Sequence, residues 1–156
     1  KSPGDVVARE LLAELLMHGG QLREARDAYE ALRASGRATP AVLNNLANLL
    51  LELGEGDPLA HANEALRLAP GDAEVMDTVG WVLASQQRYE EAVRYLRDAR
   101  LRAPNNAEIR WHLGYVLAKM GRRGEAADEL GAALVMPGEF SWRSEARELL
   151  AELGGK

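Results

Sequence analysis

The residues VGWVLASQQRYEEAV (79–93) recur 34 positions later as LGYVLAKMGRRGEAA (113–127). Both stretches contain an aliphatic residue, glycine, an aromatic residue and Val-Leu-Ala, followed by a polar turn and Glu-Ala. Two earlier copies of the pattern begin at Val6 and Pro40, and the copy that begins at Pro40 is shorter by one residue. A regular period of this length is typical of proteins built from stacked structural repeats.

The composition excludes several classes of function. The chain has 156 residues, a net charge of −5 and no cysteine. Its acidic balance argues against binding to nucleic acid or to an anionic membrane surface, and the lack of cysteine excludes disulfides and thiolate metal sites. The apolar runs are too short to span a bilayer, so we expect no membrane insertion by these residues. Because the sequence begins with Lys1 rather than Met and its first residues contain no apolar signal core, we expect a piece of a longer chain. Because the first repeat has no capping helix, we expect further repeats before it.

Each repeat is predicted to be two helices joined by a tight turn. The residues expected to cap helix N-termini are Thr39, Asp57, Asp72 and Asn106. The first helices are expected to end at Gly20, Gly54 and Gly121, and at Gln87 in the third repeat. A glycine inside a helix costs about 1 kcal/mol relative to alanine. Gly80 and Gly114 are therefore expected where a larger side chain would clash with a neighbouring helix.

The stretch MDTVGWVLASQQRYEEAVRYLRDARLRAPNN (76–106) resembles the tetratricopeptide repeat almost throughout, and the resemblance extends over residues 6–137. It implies an all-α, right-handed superhelical solenoid of four helical hairpins. Their expected ranges are 6–39, 40–72, 73–106 and 107–137. A further helix over 141–153 has an apolar face formed by Ala146, Leu149, Leu150 and Leu153, as expected of a capping helix. The whole chain, 1–156, is interpreted as one domain.

Side chains suited to catalysis or metal binding do not converge in the sequence. His18, His61 and His112 are not followed four residues later by another metal ligand, so they are expected at a surface or an interface. The few serines lie outside any Gly-x-Ser-x-Gly turn. The chain is therefore not expected to be an enzyme, and we predict no catalytic residue, metal or cofactor.

The resemblance implies that the first helix of each repeat lines the concave side of the solenoid. The predicted partner-binding residues on that side are Glu10, Glu14, Asn44, Asn48, Glu74, Asp77, Trp81, Glu108, Trp111 and Tyr115. Five carboxylates and three aromatic residues favour a basic, proline-rich or apolar segment of a protein partner. The family's clamp for a C-terminal carboxylate would instead need lysine and arginine there.

Two alternatives remain open for the predicted groove. Trp81, Trp111 and Tyr115 either contact a ligand or fill the space between successive first helices. Asn44 and Asn48, four residues apart, either hydrogen-bond the backbone of an extended peptide or form an ordinary polar face.

A narrower resemblance concerns LNNLANLLLELGEGDPLAHANEAL (43–66) and the residues that follow it. They are similar to the C-terminal repeats of large bacterial lipoproteins that accompany exopolysaccharide synthesis and PEP-CTERM/exosortase protein sorting. This similarity implies a membrane-anchored scaffold on the periplasmic side, with a cytoplasmic location as the alternative. The candidate functions are a protein-binding scaffold, self-association through the uncapped first repeat, and a carbohydrate-binding accessory to polysaccharide export.

Overall fold

The computed structural model describes residues 3–138 and 140–154, and all regular secondary structure within them is α-helical. This confirms the all-α fold class predicted from the repeats. The chain divides into two compact units, Lys1–Gly71 and Asp72–Lys156. Each unit is described by itself below.

The first unit contains two helical hairpins. Its helices are α1 (Pro3–His18), α2 (Leu22–Ala34), α3 (Pro40–Leu53) and α4 (Pro58–Leu68). Helix α1 packs on α2, α3 packs on α4, and α2 covers α3. The buried side chains that α2 and α3 share include Tyr29, Leu32, Leu46 and Leu49.

The second unit contains two hairpins and a final helix. Its helices are α5 (Ala73–Ser85), α6 (Tyr89–Arg102), α7 (Ala107–Lys119), α8 (Arg123–Val135) and α9 (Arg143–Gly154). Helix α6 lies against α7, and α8 lies against α9. Helix α9 begins two residues later than the predicted capping helix and covers the last hairpin through Ala146, which is buried.

The local signals at the helix ends behave as the sequence predicts. The side chains of Thr39 and Asp57 each accept a hydrogen bond from a backbone N–H in the first turn of the following helix. Asp72 and Asn106 each accept two such bonds. These bonds satisfy amide groups that have no partner within a helix, which is how a cap fixes where the helix begins.

The turn after each first helix requires a left-handed backbone. Gly20, Gly54 and Gly121 have φ values of 75°, 66° and 74°. Gln87 occupies the corresponding turn of the third repeat with a φ of 60°, although residues other than glycine rarely adopt this backbone conformation. The repeat pattern therefore imposes the turn geometry even where its usual residue is missing.

Two glycines lie where paired helices approach most closely. A Cβ atom added to Gly80 would lie 2.6 Å from Leu96 Cγ, and one added to Gly114 would lie 2.8 Å from Leu130 Cγ. Both distances are far below van der Waals contact, so the predicted clash at these positions is confirmed. The leucines on α6 and α8 fill the space that the glycines leave.

None of the helices in residues 3–138 and 140–154 has the length and hydrophobicity needed to span a membrane.

Candidate functional site

The best-defined candidate surface lies in the second unit, where the first helices of the two hairpins, α5 and α7, are neighbours. It contains six of the ten predicted partner-binding residues. Glu74 and Glu108 are exposed, and Trp81 and Tyr115 are partly buried. Asp77 and Trp111 are buried, with 9% and 4% of their surface exposed.

Four aromatic side chains of this unit form a continuous group, the aromatic cluster: Trp81, Trp111, Tyr115 and Trp142. Trp81 and Tyr115 meet edge to face with ring centroids 5.4 Å apart, and Trp111 stacks on Trp142 at 6.0 Å. Two tilted contacts, Trp81–Trp142 at 6.1 Å and Trp111–Tyr115 at 5.7 Å, close the group. These separations lie in the range in which aromatic pairs attract each other. All three tryptophans of the chain belong to the cluster.

Trp142 is not among the predicted site residues, because it lies beyond the predicted repeats, which end at residue 137. It lies 34 residues after Glu108, which itself lies 34 residues after Glu74, so it occupies the same position of the repeat. One further period of the repeat therefore indicates Trp142. Trp111 packs in the core of this end of the unit with Leu130, Ala146 and the partly buried Trp142. Its burial favours the packing alternative for Trp111, whereas Trp81 and Tyr115 keep accessible surface.

A buried polar pair joins α5 to α7 beside the cluster. His112 Nδ1 lies 2.9 Å and 3.0 Å from the two carboxylate oxygens of Asp77, so the imidazole N–H donates to the carboxylate. One face of the His112 ring stacks on the Trp81 indole, with ring centroids 4.1 Å apart. Asp77 therefore orients His112, and His112 in turn supports the indole of Trp81.

The three histidines occupy different environments. His18 is exposed, His61 is partly buried, and His112 lies at a buried interface between two helices with 4% of its surface exposed. The acidic partner of His112 lies 35 residues earlier in the chain. Because Asp77 is on a different helix, the spacing of residues along α7 does not indicate this contact.

Charge is distributed unevenly along the α5–α7 face. Glu74 and Glu108 lie in the first turns of their helices. At the opposite end, Lys119 Nζ lies 5.2 Å from the centroid of the Tyr115 ring, which is a cation–π distance. The face is thus acidic at one end, aromatic in its second half, and basic beyond the aromatic residues.

The other four predicted residues belong to the first unit. Glu10 Oε1 accepts a hydrogen bond from Thr39 Oγ1 at 2.9 Å, and Glu14 is partly buried. Asn44 is 9% exposed, and its Oδ1 has no hydrogen-bond partner among the described residues. Asn48 is partly buried. Asn44 Oδ1 is therefore an unpaired acceptor with almost no accessible surface.

A buried tyrosine lies behind the acidic residues of α1. The Tyr29 hydroxyl accepts a hydrogen bond from Asn45 Nδ2 at 3.0 Å. Burial raises the pKa of Tyr29; the Asn45 hydrogen bond opposes this effect, and the Glu14 and Glu10 carboxylates add to it. The phenol is therefore held in its neutral form.

No group of three or more histidine, aspartate or glutamate side chains in the described part of the chain is arranged to hold a metal ion.

Comparison with known proteins agrees with the helical hairpins. The family model described as "Tetratricopeptide repeat" matches residues 10–73 and 80–141. No curated protein sequence matches the chain. The fold is similar to that of TTC0263, a thermophilic TPR protein of Thermus thermophilus, with 25% identity, a TM-score of 0.77, and coverage of 95% of this chain and 80% of that one.

Two further structures show the same fold. YrrB, a TPR protein with an unusual peptide-binding site, is 19% identical, with a TM-score of 0.72 and coverage of 92% of this chain and 74% of that one. MamA from Desulfovibrio magneticus RS-1 is 16% identical, with a TM-score of 0.70 and coverage of 96% and 93%.

Proposed function

The chain belongs to the tetratricopeptide repeat family, and from this premise we propose that it is a non-catalytic scaffold that binds a segment of a protein partner on the α5–α7 face. The observation that carries the proposal is the partly exposed Trp81–Tyr115 pair. His112 stacks on Trp81, and the exposed Glu74 and Glu108 lie about two turns nearer the start of the same helices. Tryptophan and tyrosine are enriched among the residues that dominate binding energy at protein interfaces. YrrB, which shares the fold, has a peptide-binding site.

The buried Asp77–His112 pair fits a supporting role better than a catalytic one. Only 4% of the His112 surface is exposed, its Nδ1 is engaged by Asp77, and one face of its ring is covered by Trp81. A general base must reach the proton that it removes from a substrate. A fixed ring beneath an indole instead preorganises a binding residue, which lowers the entropic cost of association.

The biological setting is proposed from sequence similarity. The similarity of residues 43–66 and those following to lipoprotein repeats supports a role in bacterial exopolysaccharide synthesis or protein export, on the periplasmic side of the membrane. A partner in that setting would be another component of the export system.

The test is affinity capture from an extract of the source organism, with the native chain beside a Trp81→Ala/Tyr115→Ala variant. A Tyr89→Ala/Tyr95→Ala variant is the matched control, because it removes two partly buried aromatics from α6. A protein captured by the native chain and the control, and lost by a folded Trp81→Ala/Tyr115→Ala variant, supports the proposal. Equal capture by all three contradicts it. Oligosaccharides that displace the captured protein would favour the carbohydrate-binding alternative.

Self-association is a second candidate, because α1 has an exposed apolar stripe formed by Val7, Leu11, Leu12 and Leu15, each more than half exposed. Leu12 and Leu15 correspond, 34 residues on, to Leu46 and Leu49, which are 0% and 1% exposed beneath α2. The stripe is thus the kind of surface that a helix covers elsewhere in this unit, and we assign a second copy of the chain to it. A concentration-dependent mass in analytical ultracentrifugation that is abolished by Leu11→Glu/Leu15→Glu supports this function. A concentration-independent monomer contradicts it.

A further inference from the structure

The α5–α7 face carries its charged and aromatic groups at a repeated spacing. Glu74 lies seven residues before Trp81 on α5, and Glu108 lies seven residues before Tyr115 on α7. Seven residues are about two helical turns, so the two members of each pair lie on the same side of their helix, about 10 Å apart along it. Two neighbouring helices therefore present the same pair of groups.

The two predicted binding residues between the glutamates and the partly exposed aromatic residues, Asp77 and Trp111, are buried. Asp77 is 9% exposed and accepts the hydrogen bond from His112, and Trp111 is 4% exposed and packed against Trp142. The accessible surface thus has a carboxylate zone, Glu74 and Glu108, and an aromatic zone, Trp81 and Tyr115. Lys119 lies beside the aromatic zone and disfavours a cation there.

We propose that this face binds an extended segment in which a lysine or arginine is separated by two residues from a proline, an inference that rests on the proposed function. Three residues of polyproline II helix advance by about 9 Å, which matches the distance between the two zones. The basic side chain meets the carboxylates, and the proline ring packs on the aromatic zone, as in other aromatic-lined grooves that bind proline-rich segments. A helical segment would instead need its two groups seven residues apart.

Binding at this face can be measured without an added label. Because all three tryptophans lie in the aromatic cluster, intrinsic tryptophan fluorescence reads this site directly. The probes are capped synthetic peptides with Lys-x-x-Pro and Pro-x-x-Lys, since the chain direction is open. Their controls are a Lys-Pro peptide without spacers, a Glu-x-x-Pro peptide, and a helical peptide with its lysine and apolar residue seven apart. We expect a saturable change with one of the first two, at an affinity roughly tenfold higher than that of any control peptide.

A charge-reversal variant tests the carboxylate zone. Glu74→Lys/Glu108→Lys should weaken Lys-x-x-Pro or Pro-x-x-Lys binding by roughly tenfold or more and should strengthen Glu-x-x-Pro binding. Glu90→Lys/Asp98→Lys is the matched control, because it makes the same change in net charge at exposed positions of α6. Circular dichroism confirms that both variants are folded. The control should bind as the native chain does.

The failure of this inference can be told apart from the failure of the proposed function. Equal binding of basic and acidic peptides, tighter binding of the helical peptide, or no response to the Lys/Pro peptides overturns the partner motif. The proposed function survives these results if Trp81→Ala/Tyr115→Ala still abolishes partner capture. Capture that is unaffected by that variant overturns both.

Discussion

The imidazole ring of His112 lies parallel to the indole ring of Trp81, with centroids 4.1 Å apart and an angle of 18° between the ring planes. The same imidazole donates a hydrogen bond to Asp77. Asp77 and Trp81 are on α5 and His112 is on α7, so one side chain links the two helices in two ways. The indole of Trp81 on the candidate surface is therefore packed on a side chain that a buried hydrogen bond holds in place.

We predict that His112→Ala destabilises the second unit by about 2 kcal/mol, because it removes an aromatic contact and leaves the Asp77 carboxylate buried without its donor. Asp77→Asn should cost less than about 1 kcal/mol, since the amide oxygen can still accept from His112 Nδ1. Urea denaturation followed by tryptophan fluorescence measures both. A His112→Ala variant no less stable than Asp77→Asn would show that the contact contributes little.

The parts of this structure that were predictable from sequence are those set by short-range spacing. The period of about 34 residues fixes which helices pair, and Thr39, Asp72 and Asn106 mark where helices begin, because a cap acts on the next three residues. The contact between Asp77 and His112 spans 35 residues and forms only when successive hairpins pack. Nothing in the spacing along either helix indicates it.

The burial of Trp111 was unpredictable for a related reason. Its position in the repeat is that of a groove residue, as for Asp77 on the preceding hairpin. Trp142, which precedes α9, lies against it and removes it from solvent. Asn44 and Asp77, at the equivalent position of the two preceding hairpins, are also only 9% exposed, so packing against neighbouring elements buries this position in each of the three hairpins.

Alanine at the two close-packed glycines should be destabilising. Gly80→Ala and Gly114→Ala each place a methyl group within 3 Å of a leucine side chain on the paired helix. Overpacking of this kind costs about 1–3 kcal/mol, so after the gain of about 1 kcal/mol from the better helix former we expect a net loss of up to about 2 kcal/mol. Thermal denaturation monitored by circular dichroism measures the change.

The matched control for this prediction is Gly131→Ala. Gly131 lies inside α8, and a Cβ atom there would have no atom within 4 Å among its neighbours. Only the helix propensity then changes, so this variant should be more stable by up to about 1 kcal/mol. Destabilisation of all three variants by the same amount would contradict the assignment of Gly80 and Gly114 to close helix packing.

Replacement of Gln87 by glycine should stabilise the second unit. Gln87 has a φ of 60° in a turn where the other repeats have glycine. A residue with a Cβ atom pays about 1 kcal/mol for this conformation, partly offset by the larger entropy that glycine loses on folding. We expect a net gain of about 0.5 kcal/mol in the free energy of unfolding from urea denaturation. Gln86→Gly, at the neighbouring position with negative φ, should instead lose stability.

The first unit should lose stability at alkaline pH through Tyr29. Burial raises the pKa of this phenol above its ordinary value of 10.0, so the folded state retains a proton that the unfolded chain releases first. The stabilisation is complete below the ordinary pKa and is lost as the pH rises through that value towards the folded pKa.

Tyr29→Phe removes the titrating group together with its hydrogen bond to Asn45. Thermal denaturation at about pH 8 and about pH 11, followed by circular dichroism, should therefore show a larger fall in Tm for the native chain than for Tyr29→Phe. Parallel falls in the two proteins would mean that the phenol remains hydrated enough to ionise without cost in the folded unit.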